Sequence, residues 1–275
     1  MALAVLTASC AGSGPPRDTT TTPPAADAQA LVLWRMDETG GTRVLDYGTL
    51  RANGIAGLDT RTDFGRFHNA RVFTRSMESF VFSRYQPGLD TPTITIEAWV
   101  RPFGIPDFED WTIASRWSVR ETEQSWIFGM VGRRIVRNPT MTSPGYHRAL
   151  AVTGSTGQLV FAFQQEQAAP VRSYFSTQNI EVDRWTHVAV SYDGVTIRFY
   201  LDGRLDAQYE TPGAIRSSPA PLLVGNFFDA QLLSNFGGDL KVGDRAIHDP
   251  VYAFEGMIDE LRISRGARSD TTFAR

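Results

Sequence analysis

Residues 185–203 read WTHVAVSYDGVTIRFYLDG. Val188, Val190 and Tyr192 share one parity, and His187, Ala189 and Ser191 the other. Asp193-Gly194 interrupts the pattern, Ile197, Phe199 and Leu201 resume it, and Asp202-Gly203 interrupts it again. Period two sends alternate side chains to opposite faces of a strand. Asp-Gly supplies the positive φ of a tight hairpin turn. The stretch therefore predicts strand, turn, strand, turn, with 204–211 as a third strand. Such a meander has one apolar face, which another layer must cover.

Working outward, the rest of the chain repeats the theme. Strands are predicted over 31–36, 72–73, 79–82, 93–101, 111–117, 125–131, 149–153, 158–164, 221–225 and 256–264. In 93–101, Ile94, Ile96, Ala98 and Val100 share a face opposite Thr95, Glu97 and Trp99, and Pro102 ends the strand. No long apolar stripe has helical spacing, and Gly and Pro fall between the strands as turn punctuation. Many short strands of this kind indicate an all-β sandwich or barrel. With 275 residues and 42% hydrophobic content, the chain can build a sizeable core. The net charge of -3, with no basic block, argues against a nucleic-acid partner. No apolar run is long enough to span a bilayer.

The single cysteine, Cys10, rules out an internal disulfide. It follows the apolar run Ala2-Leu3-Ala4-Val5-Leu6, and Thr7-Ala8-Ser9-Cys10 resembles the bacterial lipoprotein box, in which the cysteine is lipidated. A truncated ordinary signal peptide is the other reading. Residues 11–30 (AGSGPPRDTTTTPPAADAQA) lack periodicity and large apolar side chains, so they cannot bury a core. Where polyproline-like, such a tether extends by about 3 Å per residue. The expected layout is a signal-like segment at 1–10, a tether at 11–30 and one folded domain at 31–275. An exported chain, held at the cell envelope by lipid or released outside the cell, follows.

Five segments, in order, resemble the laminin-G-like jelly roll of the concanavalin A-like lectin/glucanase superfamily. They are the opening strand with its Asp46 to Gly54 loop, ITIEAWVRP at 94–102, the 185–203 meander, Leu223-Val224-Gly225, and FEGMIDELRI at 254–263. The resemblance covers 31 to the end and implies a two-sheet antiparallel jelly-roll sandwich. In related jelly rolls the counterpart of Asp259 often helps to bind a structural calcium together with the loop after the first strand. Here Asp46 and Asn53 fit that loop's register, so Asp46, Asn53 and Asp259 are the expected calcium ligands. Parity places Asp259 with Met257, Leu261 and Ile263, in apolar company that demands compensation. The alternative is that Arg51 or backbone amides satisfy Asp259 without metal.

Catalysis is not expected. Glucanases of this fold carry E-x-D-x-x-E on one strand, which brings acid and nucleophile about 5 Å apart. Glu97 stands alone on its strand, and Asp259 and Glu260, being adjacent, should face opposite ways. His187, Tyr200 and Arg198 imitate the lyase group of this fold without further support. The four histidines lack metal or triad spacing. Trp34, Trp99 and Trp185 lie within the family's core motifs. Trp111, Trp117 and Arg116 are the candidate sugar-stacking and orienting residues. Tyr146, in the 133–148 loop, and Phe236, in the 227–253 segment, join them, because long loops on β-scaffolds carry function. The expected role is non-catalytic glycan recognition. A protein-interaction domain of the envelope is the alternative, and a glycosidase or lyase a more distant one.

Overall fold

The computed structural model describes residues 23, 25, 27–106, 110–118, 121–132, 154–166, 171–228, 233–236, 239–242, 252–269 and 273. Among these residues there are eighteen strands, two one-turn 3-10 helices and no α-helix. Eight strands form sheet A: β1 (Ala30–Trp34), β4 (Arg61–Phe64), β5 (Asn69–Phe73), β7 (Ile94–Pro102), β12 (Thr186–Tyr192), β13 (Thr196–Leu201), β14 (Arg204–Glu210) and β18 (Gly256–Arg265). Their order is β14-β13-β12-β7-β18-β5-β4, with β1 also against β18. Sheet B comprises β2 (Arg43–Val44), β3 (Gly54–Ala56), β6 (Val81–Ser83), β8 (Trp111–Trp117), β9 (Gln124–Met130), β10 (Gln158–Phe163), β11 (Arg172–Asn179) and β15 (Leu222–Val224). Its order is β11-β10-β9-β8-β15-β6-β3-β2. A separate hairpin joins β16 (Leu233–Phe236) to β17 (Asp239–Val242). Both large sheets are antiparallel, as a jelly-roll sandwich requires.

The meander that opened the reading sits in sheet A as expected. Val188 pairs with Leu201, Val190 with Phe199 and Tyr192 with Ile197. Asp202 and Gly203 both have positive φ, at 47° and 72°, the backbone of a type I′ hairpin. The inward faces of the two sheets meet in one core, which includes Trp34, Ile96, Val100, Trp111, Trp126, Phe128, Phe161, Val190, Phe199, Leu261 and Ile263. On one side the sandwich is laced shut: the Asp206 carboxylate on β14 accepts hydrogen bonds from the Thr177 N–H and, at 2.9 Å, from Gln178 Nε2 on β11. On the other side β4 ends sheet A as a largely exposed edge.

Six strands escape the sequence reading: β2, β3, β4, β11, β16 and β17. They are short or polar. β11 reads RSYFSTQN and is exposed over much of its length, so it offers no buried alternation to detect. The strand expected at 149–153 lies outside the described residues.

The last strand departs most from expectation. Asp259 pairs with Trp99, yet Arg262 pairs with Glu97, so three steps on β18 match two on β7. The extra residue is a β-bulge, and Glu260 occupies it with φ +49°. Leu261 and Ile263 therefore turn into the core, whereas Asp259 stays with Met257 on the outer face. The parity that grouped Asp259 with Leu261 and Ile263 fails at this point. The expectation that Asp259 and Glu260 face opposite ways fails with it. Glu260 lies 3.9 Å from Arg35 and feels the charges of Arg262 and Glu97, which form an outward-facing pair on sheet A.

Candidate functional site

Ladder pairing sorts the outer face of sheet A into rows. Arg61 pairs with Val72, Val72 with Met257 and Met257 with Arg101. Trp185 lies one residue beyond the Thr186–Val100 pair, beside Arg101. The next row holds Asp63 with Ala70, and Asp259, Trp99 and His187. A third holds Leu33, Arg262, Glu97, Ala189 and Tyr200.

The third row is a buried charge cluster. Glu97 Oε2 lies 3.2 Å from His187 Nε2, and Oε1 lies 3.4 Å from Arg268 Nη1 and 3.7 Å from Arg262 Nε. Asp27 joins both arginines, at 3.2 and 3.0 Å. These contacts clamp the segments around Asp27 and Arg268 across the sheet. Phe273 packs between His187 and Tyr200, with centroids 5.6 and 4.7 Å away. Arg198 is turned to Asp193 at 2.7 Å. The His187, Tyr200 and Arg198 group is thus divided among packing and ion-pair duties.

The acid pair at the bulge is buried too. Asp259 Oδ2 accepts from Phe67 N–H at 2.9 Å, while Oδ1 has no partner. Both Glu260 oxygens lack a hydrogen bond, and the nearest cation is Arg35 Nη1 at 3.9 Å. Burial pushes the Glu260 carboxyl up to about 8 and raises that of Asp259 well above its usual range, with Glu260 and Asp37 adding repulsion at Asp259.

The expected calcium set is not assembled. Asp46 Oδ1 accepts from Leu33 N–H at 2.8 Å and Gly48 N–H at 2.7 Å, and Oδ2 from Ala52 N–H at 2.6 Å. Asn53 Oδ1 accepts the Asp46 N–H at 2.9 Å. Asp46 and Asn53 thus close their own loop, and Asp259 turns to a different loop at Phe67. Backbone donors fill the places that a cation would need. Among the described residues no three His, Cys, Asp or Glu side chains group to hold a metal. The residues do not fit a shared calcium, and Asp259 takes one backbone N–H, from Phe67, on a single oxygen. Arg51 instead donates to the Asp46 carbonyl at 3.4 Å.

The candidate stacking residues are internal. Trp111, Arg116 and Trp117 are each 1% exposed. Trp111 belongs to the main core, and Trp117 packs with Ile127, Val160 and Phe227. Arg116 donates to the Leu89 carbonyl at 2.8 Å, the Ala220 carbonyl at 3.3 Å, Asp90 Oδ1 at 2.9 Å and the Ser218 carbonyl. It fastens a turn to a neighbouring segment, and four of its five N–H donors are taken up internally. Tyr146 and Cys10 lie outside the described residues, and Phe236 ends β16.

Sequence reasoning missed Trp185. It is only partly buried, whereas the other five tryptophans are buried. Its indole packs against the outer-face cluster of Ala70, Val72 and Met257. Arg101, beside it, approaches Asp183 at 3.5 Å, and Arg61–Asp63 at 2.8 Å lie on β4 at the far end of the same face. The Arg61 hydrogen bond, with that of Phe64 N–H, holds the Asp63 carboxyl below its usual range, and the field of Arg101 helps. Arg66 lies 4.7 Å over the Trp99 ring, and Phe64 is 64% exposed. One signal was available. The hairpin pairing of 186–192 leaves Trp185 just before the strand, where the last turn meets the sheet rim.

A profile described as Concanavalin A-like lectin/glucanases superfamily matches residues 79–272. No curated protein is similar in sequence. Solved structures share the fold at low identity. The binding domain of Paraclostridial Mosquitocidal Protein 1 superimposes with a TM-score of 0.59 at 10% identity, over 88% of this chain and 50% of its own. Domain 4 of AbnA, a GH43 extracellular arabinanase from Geobacillus stearothermophilus, in complex with arabinotriose, gives 0.55 at 17% identity, over 89% of this chain and 96% of its own. The binding domain of Botulinum Neurotoxin DC in complex with SialylT gives 0.53 at 9% identity, over 88% and 49%. The chain spans about half the length of the toxin binding domains and nearly all of the arabinanase domain. At these identities the likeness is one of fold.

Proposed function

Because this chain belongs to the concanavalin A-like lectin/glucanase superfamily, we propose that it is a non-catalytic glycan-binding domain whose site is the outer-face rim of sheet A around Trp185. One observation carries the reading: the rim holds the only tryptophan of six that is not buried, with the donor Arg101 and the acceptor Asp183 beside it. An indole stacks on the C–H face of a sugar ring, and flanking polar groups fix its hydroxyls. Relatives of the fold solved with arabinotriose and SialylT support the reading by analogy. Its non-catalytic part rests on burial. The side chains of Glu97 and Glu260 are 6% and 1% exposed, whereas glycosidases present two carboxylates to the substrate.

The exported setting, with a lipid on Cys10 and the 11–30 tether as spacer, belongs to the same proposal and is supported by the sequence pattern alone. Labelling of the wild-type chain but not Cys10→Ser by a fatty-acid analogue checks it. The binding role is tested by a glycan array with purified protein. Retention that weakens about tenfold in Trp185→Ala, roughly 1.4 kcal/mol, is expected. Loss of all glycan retention in the wild type, with crosslinking to one envelope protein, would replace this reading by the scaffold alternative.

A further inference from the structure

The rim around Trp185 carries donors that its own chain leaves unmatched. Arg101 Nε and Trp99 Nε1, on successive outward positions of β7, are buried without an acceptor. Both groups can only donate. Buried polar groups ordinarily find partners, so two unmatched donors side by side call for an acceptor. His187 Nδ1, opposite Trp99, is also unpartnered. Its other nitrogen faces Glu97, so in the neutral ring Nδ1 is an acceptor suited to a hydroxyl.

Arg101 is loosely matched in charge. Its contact to Asp183 is a single Nη2–Oδ1 approach of 3.5 Å, and the Asp183 side chain is 65% exposed. A well-made arginine–carboxylate pair is bidentate at about 2.8 Å. Arg61 lies in the same row, on β4, and Arg66 sits 4.7 Å over the Trp99 ring in the next. Asp63 and Asp183, the carboxylates paired with Arg61 and Arg101, are both exposed.

We infer that the Trp185 surface selects glycans that bear a carboxylate, of the uronate or sialate kind, with the sugar ring on Trp185 and its carboxylate on Arg101 in place of Asp183. This rests on the glycan-binding reading above. Asp183 then acts as an internal stand-in, holding Arg101 in position until a ligand carboxylate with better geometry displaces it.

The test compares polygalacturonate with the same polymer after carboxyl reduction, and sialyllactose with lactose, on the purified full chain. The acidic member of each pair is expected to bind at least tenfold more tightly, with the preference falling as salt rises. Arg101→Gln should abolish the preference. Asp183→Asn, which tolerates the positive φ of 58° at this position, should raise affinity for the acidic ligands several-fold and leave the neutral ones unchanged. Asp183 is exposed and Arg101 partly so, and unchanged melting confirms that both variants fold. Equal binding of acidic and neutral partners, or a preference that survives Arg101→Gln, overturns the inference while leaving the glycan reading intact. Retention of no glycan at all overturns both.

Discussion

Replacing Asp46 by alanine removes one carboxylate on which three backbone N–H groups converge: Leu33 on β1, and Gly48 and Ala52 in the following loop. Asp46 is 4% exposed, so water replaces it poorly. A hydrogen bond to a charged acceptor contributes about 1.5–3 kcal/mol. Three of them sharing one acceptor do not add, and the loop around Tyr47 and Arg51 reaches solvent and can relax. The expected loss is about 3–5 kcal/mol. In a domain of this size about 2–4 °C accompanies each kcal/mol, so melting should fall by roughly 10 °C. Asp46→Asn should be intermediate. Its carbonyl can still serve Leu33 and Gly48, but an amide NH2 then meets the Ala52 donor. Urea unfolding followed by tryptophan fluorescence, together with scanning calorimetry, measures both. Since the carboxylate is already filled by N–H groups, millimolar calcium or a chelator should leave the wild-type midpoint unmoved. A loss below about 1 kcal/mol in Asp46→Ala would refute the clasp. A calcium-dependent rise in the wild type that disappears in Asp46→Ala would refute the argument against a metal there.

Arg116→Met strips donors from three carbonyls and leaves Asp90 without its buried cation. It should cost about 3–5 kcal/mol in urea unfolding while the folded protein keeps its glycan affinity; lost affinity at full stability would restore Arg116 as a ligand contact. Gly65→Ala would place a Cβ 2.5 Å from the Asn69 carbonyl oxygen and 2.6 Å from Asp259 Oδ2, which should lower stability by about 1–3 kcal/mol; an unchanged melting curve would mean that the loop shifts freely. Glu260 makes stability depend on pH. Its folded value of about 8 exceeds the ordinary 4.5, so between those values the native state binds more protons than the unfolded chain, and stability falls as pH rises, by at most about 1.4 kcal/mol per unit. Asp259, also raised, adds in the same direction. Unfolding measured from pH 5 to 9 should show this decline, and Glu260→Gln should flatten it; a slope unaltered by the substitution would place the titration elsewhere.

The central strands were legible because their chemistry repeats at close range. Alternation in 186–192, 196–201 and 94–102 needs only one buried face per strand, and Asp-Gly turns fix the hairpin. Edge strands were harder. β4 (RTDF) and β11 bury little, so hydrophobic spacing carries no trace of them. Among single residues, tryptophan was the least legible. Family motifs placed Trp185 with the core and left Trp111 and Trp117 for ligands, whereas the structure buries Trp111 and Trp117 and leaves Trp185 partly exposed. Burial of an indole depends on which face its strand presents and on how far the strand extends. Trp111 opens β8 facing inward, and Trp185 falls one position short of β12. Neither distinction follows from composition or motif.

The bulge at Glu260 was written in the spacing of apolar residues, even though simple parity misread it. Ile258, Leu261 and Ile263 are all in the core. Ile258 and Leu261 are an odd number of residues apart, so an unbroken strand cannot turn both inward. One inserted residue resolves the conflict, and the insertion has two consequences. It sends Asp259 and Glu260 to the same side, where the sheet leaves them buried and short of partners. It also divides the neighbouring column: β5 pairs with 256–258 ahead of the bulge, and β1 pairs with 261–264 beyond it. The acid pair therefore marks the junction where two strands take turns beside β18. That accounts for two adjacent acids at this depth without assigning them to catalysis. The row ahead of the junction, from Arg61 through Val72 and Met257 to Arg101, keeps regular pairing, and Trp185 stands one residue beyond its end. Under the proposed glycan-binding role, that row sets the spacing between the aromatic platform and its charges.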